Sequence, residues 1–182
     1  MDSSRPHRPR RLATMAGVVA LLVLAPAAGS SAAGATRQVQ VLDDCDPATF
    51  NAAIGPGTCI KDGGTTFQEF IAQLLAQGRA PAWRFAPAQL KLDPGGTLQA
   101  RNRGGEDHTF TEVANFGGGC IEALNDLLGL TPVQECAGFP GGAFAATLVR
   151  PGGTVTTAPL PPGIHRYECL IHPWMRTTVT VG

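Results

Sequence analysis

Cys169, His172 and Met175 stand three residues apart in the run Cys169-Leu170-Ile171-His172-Pro173-Trp174-Met175. The runs on either side, His165 to Cys169 and Thr177 to Val181, alternate apolar and polar residues as half-buried strands do. A loop this short must reverse the chain at once, and the reversal carries a thiol, an imidazole and a thioether to one place. The chain therefore has to fold so that a tight, side-chain-rich turn closes the end of a sheet.

The rest of the C-terminal half agrees. Trp83 and Phe85, Leu90 and Leu92, and Leu98 and Ala100 alternate with polar residues, and Asp93-Pro94-Gly95-Gly96 supplies a turn. Further strand-like runs are Phe144 to Val149 and Thr154 to Thr157, separated by Pro151-Gly152-Gly153 and followed by Pro159-Leu160-Pro161-Pro162-Gly163. Several short strands with turn signals between them predict an all-β sandwich. Upstream, Val39 and Val41 predict one short strand, and residues 43–64 read as a Gly-, Pro- and Asp-rich loop. Its Asp43, Asp44 and Asp46 lack the spacing of an EF-hand and read as a solvated acidic turn on the surface. Thr66 and Glu69 form a capping box ahead of Phe67, Phe70, Ile71, Leu74 and Leu75, so a helix is expected there, stopped by Gly78. Residues 115–142 read as an insertion, with a short helix over 122–128. No internal repeat is visible.

Residues 1–35 begin with Arg5, Arg8, Arg10 and Arg11, continue through an apolar stretch from Ala13 to Ala25 and end in Ala33-Gly34-Ala35. This is the layout of a signal peptide, and the apolar run falls short of a membrane span. The domain expectation is a signal peptide over 1–35, an N-terminal extension with one helix over 36–81, and a β domain over 82–182 that carries the insertion. Export predicts a periplasmic, extracellular or cell-envelope location where disulfides persist. Of five cysteines, four can pair and one is left over. Three pairings of Cys45, Cys59, Cys120 and Cys136 are possible. The local one, Cys45 with Cys59 and Cys120 with Cys136, is preferred because each pair brackets a Gly-rich loop with little core to hold it. Formal charge is zero and the pI is near 6.9, which removes the basic footprint of a nucleic-acid or anionic-membrane binder.

Soft thiolate and imidazole with a weak thioether make the ligand set of a type 1 copper site, which needs a second imidazole. His165, on the strand leading to Cys169, lies about 13 Å from it along an extended chain, too far to share one ion. It reads as a sheet histidine with a hydrogen-bond partner. His7 leaves with the signal, so elimination returns His108, in Gly104-Gly105-Glu106-Asp107-His108-Thr109-Phe110. Zinc would have no use for a methionine three residues after the histidine.

The Cys169-x-x-His172-x-x-Met175 segment resembles the short ligand loop of the cupredoxins, and Asn102 to Thr111 resembles their upstream ligand region. Resemblance covers mainly 82–114 and 143–182. It implies a Greek-key β-sandwich holding one copper ion, with His108, Cys169 and His172 as strong ligands and Met175 as the weak axial one. Many cupredoxins follow the upstream histidine with an asparagine that bridges the two ligand loops. Thr109 stands there in this chain, with a hydroxyl that can take over part of that bridging. The family also implies that His172 lies near the surface within an apolar patch of Leu170, Ile171, Pro173 and Trp174, where a redox partner protein docks. The expected function is that of an exported, monomeric one-electron carrier and not an enzyme, since after two ligands are assigned only His165 remains to build another centre. A copper store, sensor or delivery protein and a metal-free interaction domain on the same scaffold are the alternatives.

Overall fold

Val39 and Val41 project to one side of a strand of seven residues, and both are completely buried. The computed structural model describes Met1 and residues 34–182, so the export segment expected over 1–35 lies almost wholly outside the described residues. The elements are, in chain order, β1 (Thr36–Leu42), α1 (Pro47–Ala53), α2 (Phe67–Gln77), β2 (Arg84–Ala86), β3 (Gln89–Leu92), β4 (Thr97–Asn102), β5 (His108–Thr109) and β6 (Thr111–Val113). Then follow α3 (Glu122–Leu128), α4 (Gly142–Ala146), β7 (Leu148–Val149), β8 (Thr154–Thr156), β9 (Gly163–Glu168) and β10 (Arg176–Val181).

The strands form two four-stranded sheets, ordered β2-β1-β4-β8 and β3-β10-β9-β6, with β5 and β7 as a small separate ladder. Successive strands change sheet repeatedly, so most neighbours within a sheet other than β9 and β10 are distant in sequence, as in a Greek-key sandwich. Val39, Val41, Phe85, Leu98 and Ala100 from the first sheet share one apolar core with Leu92, Tyr167, Val179 and Val181 from the second. Phe110 links them, edge-on to Phe85 at 5.2 Å and stacked on Tyr167 at 4.4 Å. β1 pairs in parallel with β4 over six positions and antiparallel with β2. The first residues of the segment set apart as an extension are thus an interior strand of the sandwich, because the alternation at Val39 and Val41 needs neighbours on both edges to bury it.

Two local readings differ from the structure. Residues 43–64 contain α1, whose start is written in the sequence: Asp46 accepts from the Thr49 amide at 2.8 Å as N-cap, and Pro47 follows as the first helical residue. The run expected as a strand over 144–149 is instead α4 followed by the two-residue β7. Alanine-rich Gly142–Ala146 favours helix, and Phe144 turns its ring onto Phe139 at 4.8 Å instead of alternating into a sheet. The capping box of α2 forms as expected, with Gly78 ending the helix in the left-handed conformation at φ 65°.

Disulfides join Cys45 to Cys59 and Cys120 to Cys136, with Cα separations of 6.2 and 5.2 Å. Each closes a loop short enough that chain entropy alone is worth about 3 kcal/mol. Among the described residues, no helix is long and apolar enough to cross a membrane.

Candidate metal centre

β9 ends at Glu168, and the next residue, Cys169, is the free cysteine, fully buried. The loop it opens is closed by its own backbone: the Cys169 amide donates to the Met175 carbonyl at 3.1 Å and the Met175 amide to the His172 carbonyl at 2.9 Å. β10 then pairs Arg176 with Glu168 and fixes the register. Met175 is buried at the foot of this turn. His108 arrives from the other ligand segment, held on β5 opposite Val149.

The turn brings the sequence-selected groups together. His108, Cys169 and His172 are all buried, and their ligand atoms lie within 4.8 Å of one another. Both imidazoles turn Nδ1 inward: His108 Nδ1 is 3.7 Å from Cys169 Sγ, His172 Nδ1 is 3.9 Å from it, and the two Nδ1 atoms are 3.2 Å apart. The sulfur also receives the amides of Thr109 at 3.4 Å and His172 at 3.5 Å. Burial pushes the Cys169 thiol up, but the two imidazoles beside it outweigh burial and hold it well below the ordinary thiol range. A thiolate with two convergent imidazole nitrogens is a donor set that suits a soft or borderline transition-metal ion.

Thr109 joins the two ligand segments. Its amide reaches the Cys169 sulfur, and its Oγ1 accepts from the Leu170 amide at 2.7 Å. Leu170 is tied in turn to the insertion: its carbonyl accepts from the Cys120 amide at 2.6 Å, and a Cβ on Gly119 would stand 2.3 Å from the same oxygen. Only glycine permits that approach.

Two carboxylates that the sequence did not single out for the site face the outer nitrogens. The side chain of Asp43, expected on the surface, is only 1% exposed, and its Oδ2 sits 2.7 Å from His108 Nε2. β1 places Asp43 beside the turn 103–107, whose Gly105 and Glu106 amides donate to it at 2.8 and 3.2 Å. Burial raises its carboxyl, and the hydrogen bond and charge of His108 with those amides more than reverse this, for a net lowering. His108 itself is pushed down by burial and up by Asp43 and Cys169, and ends raised to about 10. Glu106 stands 3.7 Å from His172 Nε2 and accepts from Trp83 Nε1. Burial dominates there and raises its carboxyl.

The surroundings of His172 also differ from expectation. Leu170 and Pro173 are buried, Trp174 is half-buried, and His172 itself is only 4% exposed. Phe70 of α2 lies 6.3 Å from its ring, Trp83 6.5 Å and Trp174 5.4 Å. The two segments read as additions, 36–81 and 115–142, supply α2 and α3, and both line a cavity of about 600 Å³ that reaches His172. His165 lies apart, its Nδ1 2.6 Å from Glu112 and its Nε2 2.9 Å from the Pro161 carbonyl, as a sheet histidine with partners.

No protein-family model matches the chain, and no curated protein matches it. Solved structures similar to it are cupredoxins. A purple cupredoxin from Nitrosopumilus maritimus is 14% identical, with 80% of this chain and 98% of that chain covered and a TM-score of 0.42. Oxidised plastocyanin from Dryopteris crassirhizoma is 14% identical, covering 80% and 100%, at 0.39. A reduced amicyanin variant is 19% identical, covering 54% and 73%, at 0.35.

Proposed function

We propose that His108 Nδ1, Cys169 Sγ and His172 Nδ1 would hold one copper ion, with Met175 as a further, weak donor, and that the chain serves as a one-electron carrier. The observation that carries this reading is the convergence of those three donor atoms within 4.8 Å in a buried pocket. When bound, copper supplies a one-electron couple, Cu(II) and Cu(I).

The chain's own groups are arranged for little rearrangement. The Cys169 sulfur receives two backbone amides, and Thr109 fixes one ligand loop to the other, so the sulfur and the loop that carries it are held by contacts that do not depend on the ion. The donor residues are buried among Leu170, Met175 and aromatic rings, with His172 the most exposed of them at 4%, and one cystine flanks each covering segment. This closure favours a carrier over a delivery protein, which has to expose its ligands for exchange. An electron reaches the site most directly through His172, by way of the cavity between α2 and α3, and a redox partner protein docks over its mouth. The paired cystines accord with an exported chain acting in an oxidising compartment. Among the described residues the remaining histidine, His165, lies apart from the cluster, and the role assigned to the chain is electron transfer.

Addition of Cu(II) to the purified protein tests the reading. An intense visible thiolate-to-copper band is expected, and it should vanish in Cys169→Ser. A wild-type protein that develops no such band would sink the proposal. Reversible voltammetry distinguishes a carrier from a store.

A further inference from the structure

His108 is held from both ends. Nδ1 faces the thiol, while Nε2 meets Asp43 Oδ2 at 2.7 Å, with the two side chains 0% and 1% exposed. An imidazole that gives Nδ1 to a metal is neutral and carries its single proton on Nε2, where the Asp43 carboxylate is placed to accept it. Asp43 is itself fixed by the Gly105 and Glu106 amides. The space it occupies exists only because residue 104 lacks a side chain: a Cβ on Gly104 would stand 1.7 Å from Asp43 Oδ2. Asn102 closes this turn, donating to the Glu106 and Val149 carbonyls at 2.7 and 2.9 Å and accepting from the Gly104 amide at 2.8 Å. The carboxylate is therefore a built-in part of the ligand frame, delivered by β1 from a position 65 residues away from His108.

We propose that Asp43 is a positioning residue of the site, which orients His108 through Nε2 and, by its buried negative charge, favours the oxidised over the reduced ion. The inference rests on the copper reading above. Its physics is direct: the two oxidation states differ by one positive charge, and a fixed anion in a buried, weakly screened place stabilises the more positive state more. Outer partners of ligand imidazoles are worth about 10- to 100-fold in metal affinity.

The test is voltammetry and Cu(II) competition titration on wild type, Asp43→Asn and Asp43→Glu. Asn keeps an acceptor oxygen and removes the charge, so the visible band should persist. Cu(II) binding should weaken about tenfold relative to Cu(I), which is an upward shift of about 59 mV in potential. Asp43→Glu keeps the charge and should stay nearer the wild-type potential. An Asp43→Asn protein with its band intact and its potential unchanged overturns the inference and leaves the copper reading standing. A wild type without the band overturns the copper reading and takes this inference with it. If circular dichroism shows Asp43→Asn unfolded, Asp43→Ser reads the same loss of charge.

Discussion

The two imidazoles of the centre stand 5.0 Å apart, ring to ring, in opposite surroundings. Around His108 nearly every polar atom is paired: Asp43 on Nε2, amides on Asp43, and Asn102 closing the turn. Around His172 the neighbours are rings and aliphatic side chains. Glu106 lies beyond hydrogen-bond distance at 3.7 Å, and Trp174 Nε1 is buried with no acceptor. The first surrounding is directional and fixes orientation; the second is shaped by packing and leaves a cavity. One cluster thus has a rigid side and an accessible side, which is the division a site needs if electrons enter at one ligand while the other holds the geometry.

Perturbing each side in turn tests this difference. The largest effect is expected on the packed side. Phe70 is 3% exposed and touches His172, Trp83 and Trp174, so Phe70→Ala should cost about 3–5 kcal/mol in urea unfolding, because the existing cavity cannot collapse to fill the space. Removing the cystine on the other side, with Cys45→Ser and Cys59→Ser together, should cost about 3 kcal/mol through loop entropy, read from the shift of the denaturation midpoint. A loss near zero would mean that the hydrogen bonds around Asp43 hold that loop unaided.

Thr109→Val keeps the shape and deletes the acceptor for the buried Leu170 amide, for an expected loss of about 1–3 kcal/mol. A visible band that shifts in this variant would show that the bridge also sets the Cys169 sulfur. Glu106→Gln should change the copper affinity by less than the tenfold expected for Asp43→Asn, since its contact with His172 is longer. An equal or greater effect would erase the distinction between the two sides.

The smallest effect concerns the third histidine, which has the same kind of partner at the rim. Burial lowers His165, but the hydrogen bonds to Glu112 and the Pro161 carbonyl outweigh it, so its folded value is raised above the ordinary 6.5. The pair therefore contributes fully at pH below about 6.5, and the contribution is lost as pH rises through the raised folded value. The Glu112 side chain is half exposed, so the effect should be under about 1 kcal/mol. Denaturation midpoints of wild type and Glu112→Gln should differ at about pH 5.5 and converge at high pH. Divergence in the alkaline direction would show the sign to be wrong.

Much of this was legible along the chain. Alternation located most of the strands, the Thr66 to Glu69 box located α2, and the spacing of Cys169 and His172 placed both on one tight loop, where Sγ and Nδ1 stand 3.9 Å apart. The helix α1 was readable as well, from Asp46-Pro47, but was obscured by the turn-like composition around it. The run at 144–149 misled because apolar residues without a clear period do not distinguish a short helix from a strand.

The sequence by itself determined the local features: which segments are extended, where a helix is capped, which cysteines are near enough to close short loops, and which ligand types share a turn. Each depends on residues no more than 16 positions apart, where backbone sterics, side-chain periodicity and short-loop closure decide the outcome. Only the tertiary structure decided that Asp43 is buried against His108 and that His172 lies beneath Phe70 and beside a cavity. A charged residue in an acidic, loop-like run reads as solvated, because nothing near it in sequence can offset its desolvation. Its partner comes from another strand, and the burial of both is settled by which segments the sandwich folds over them.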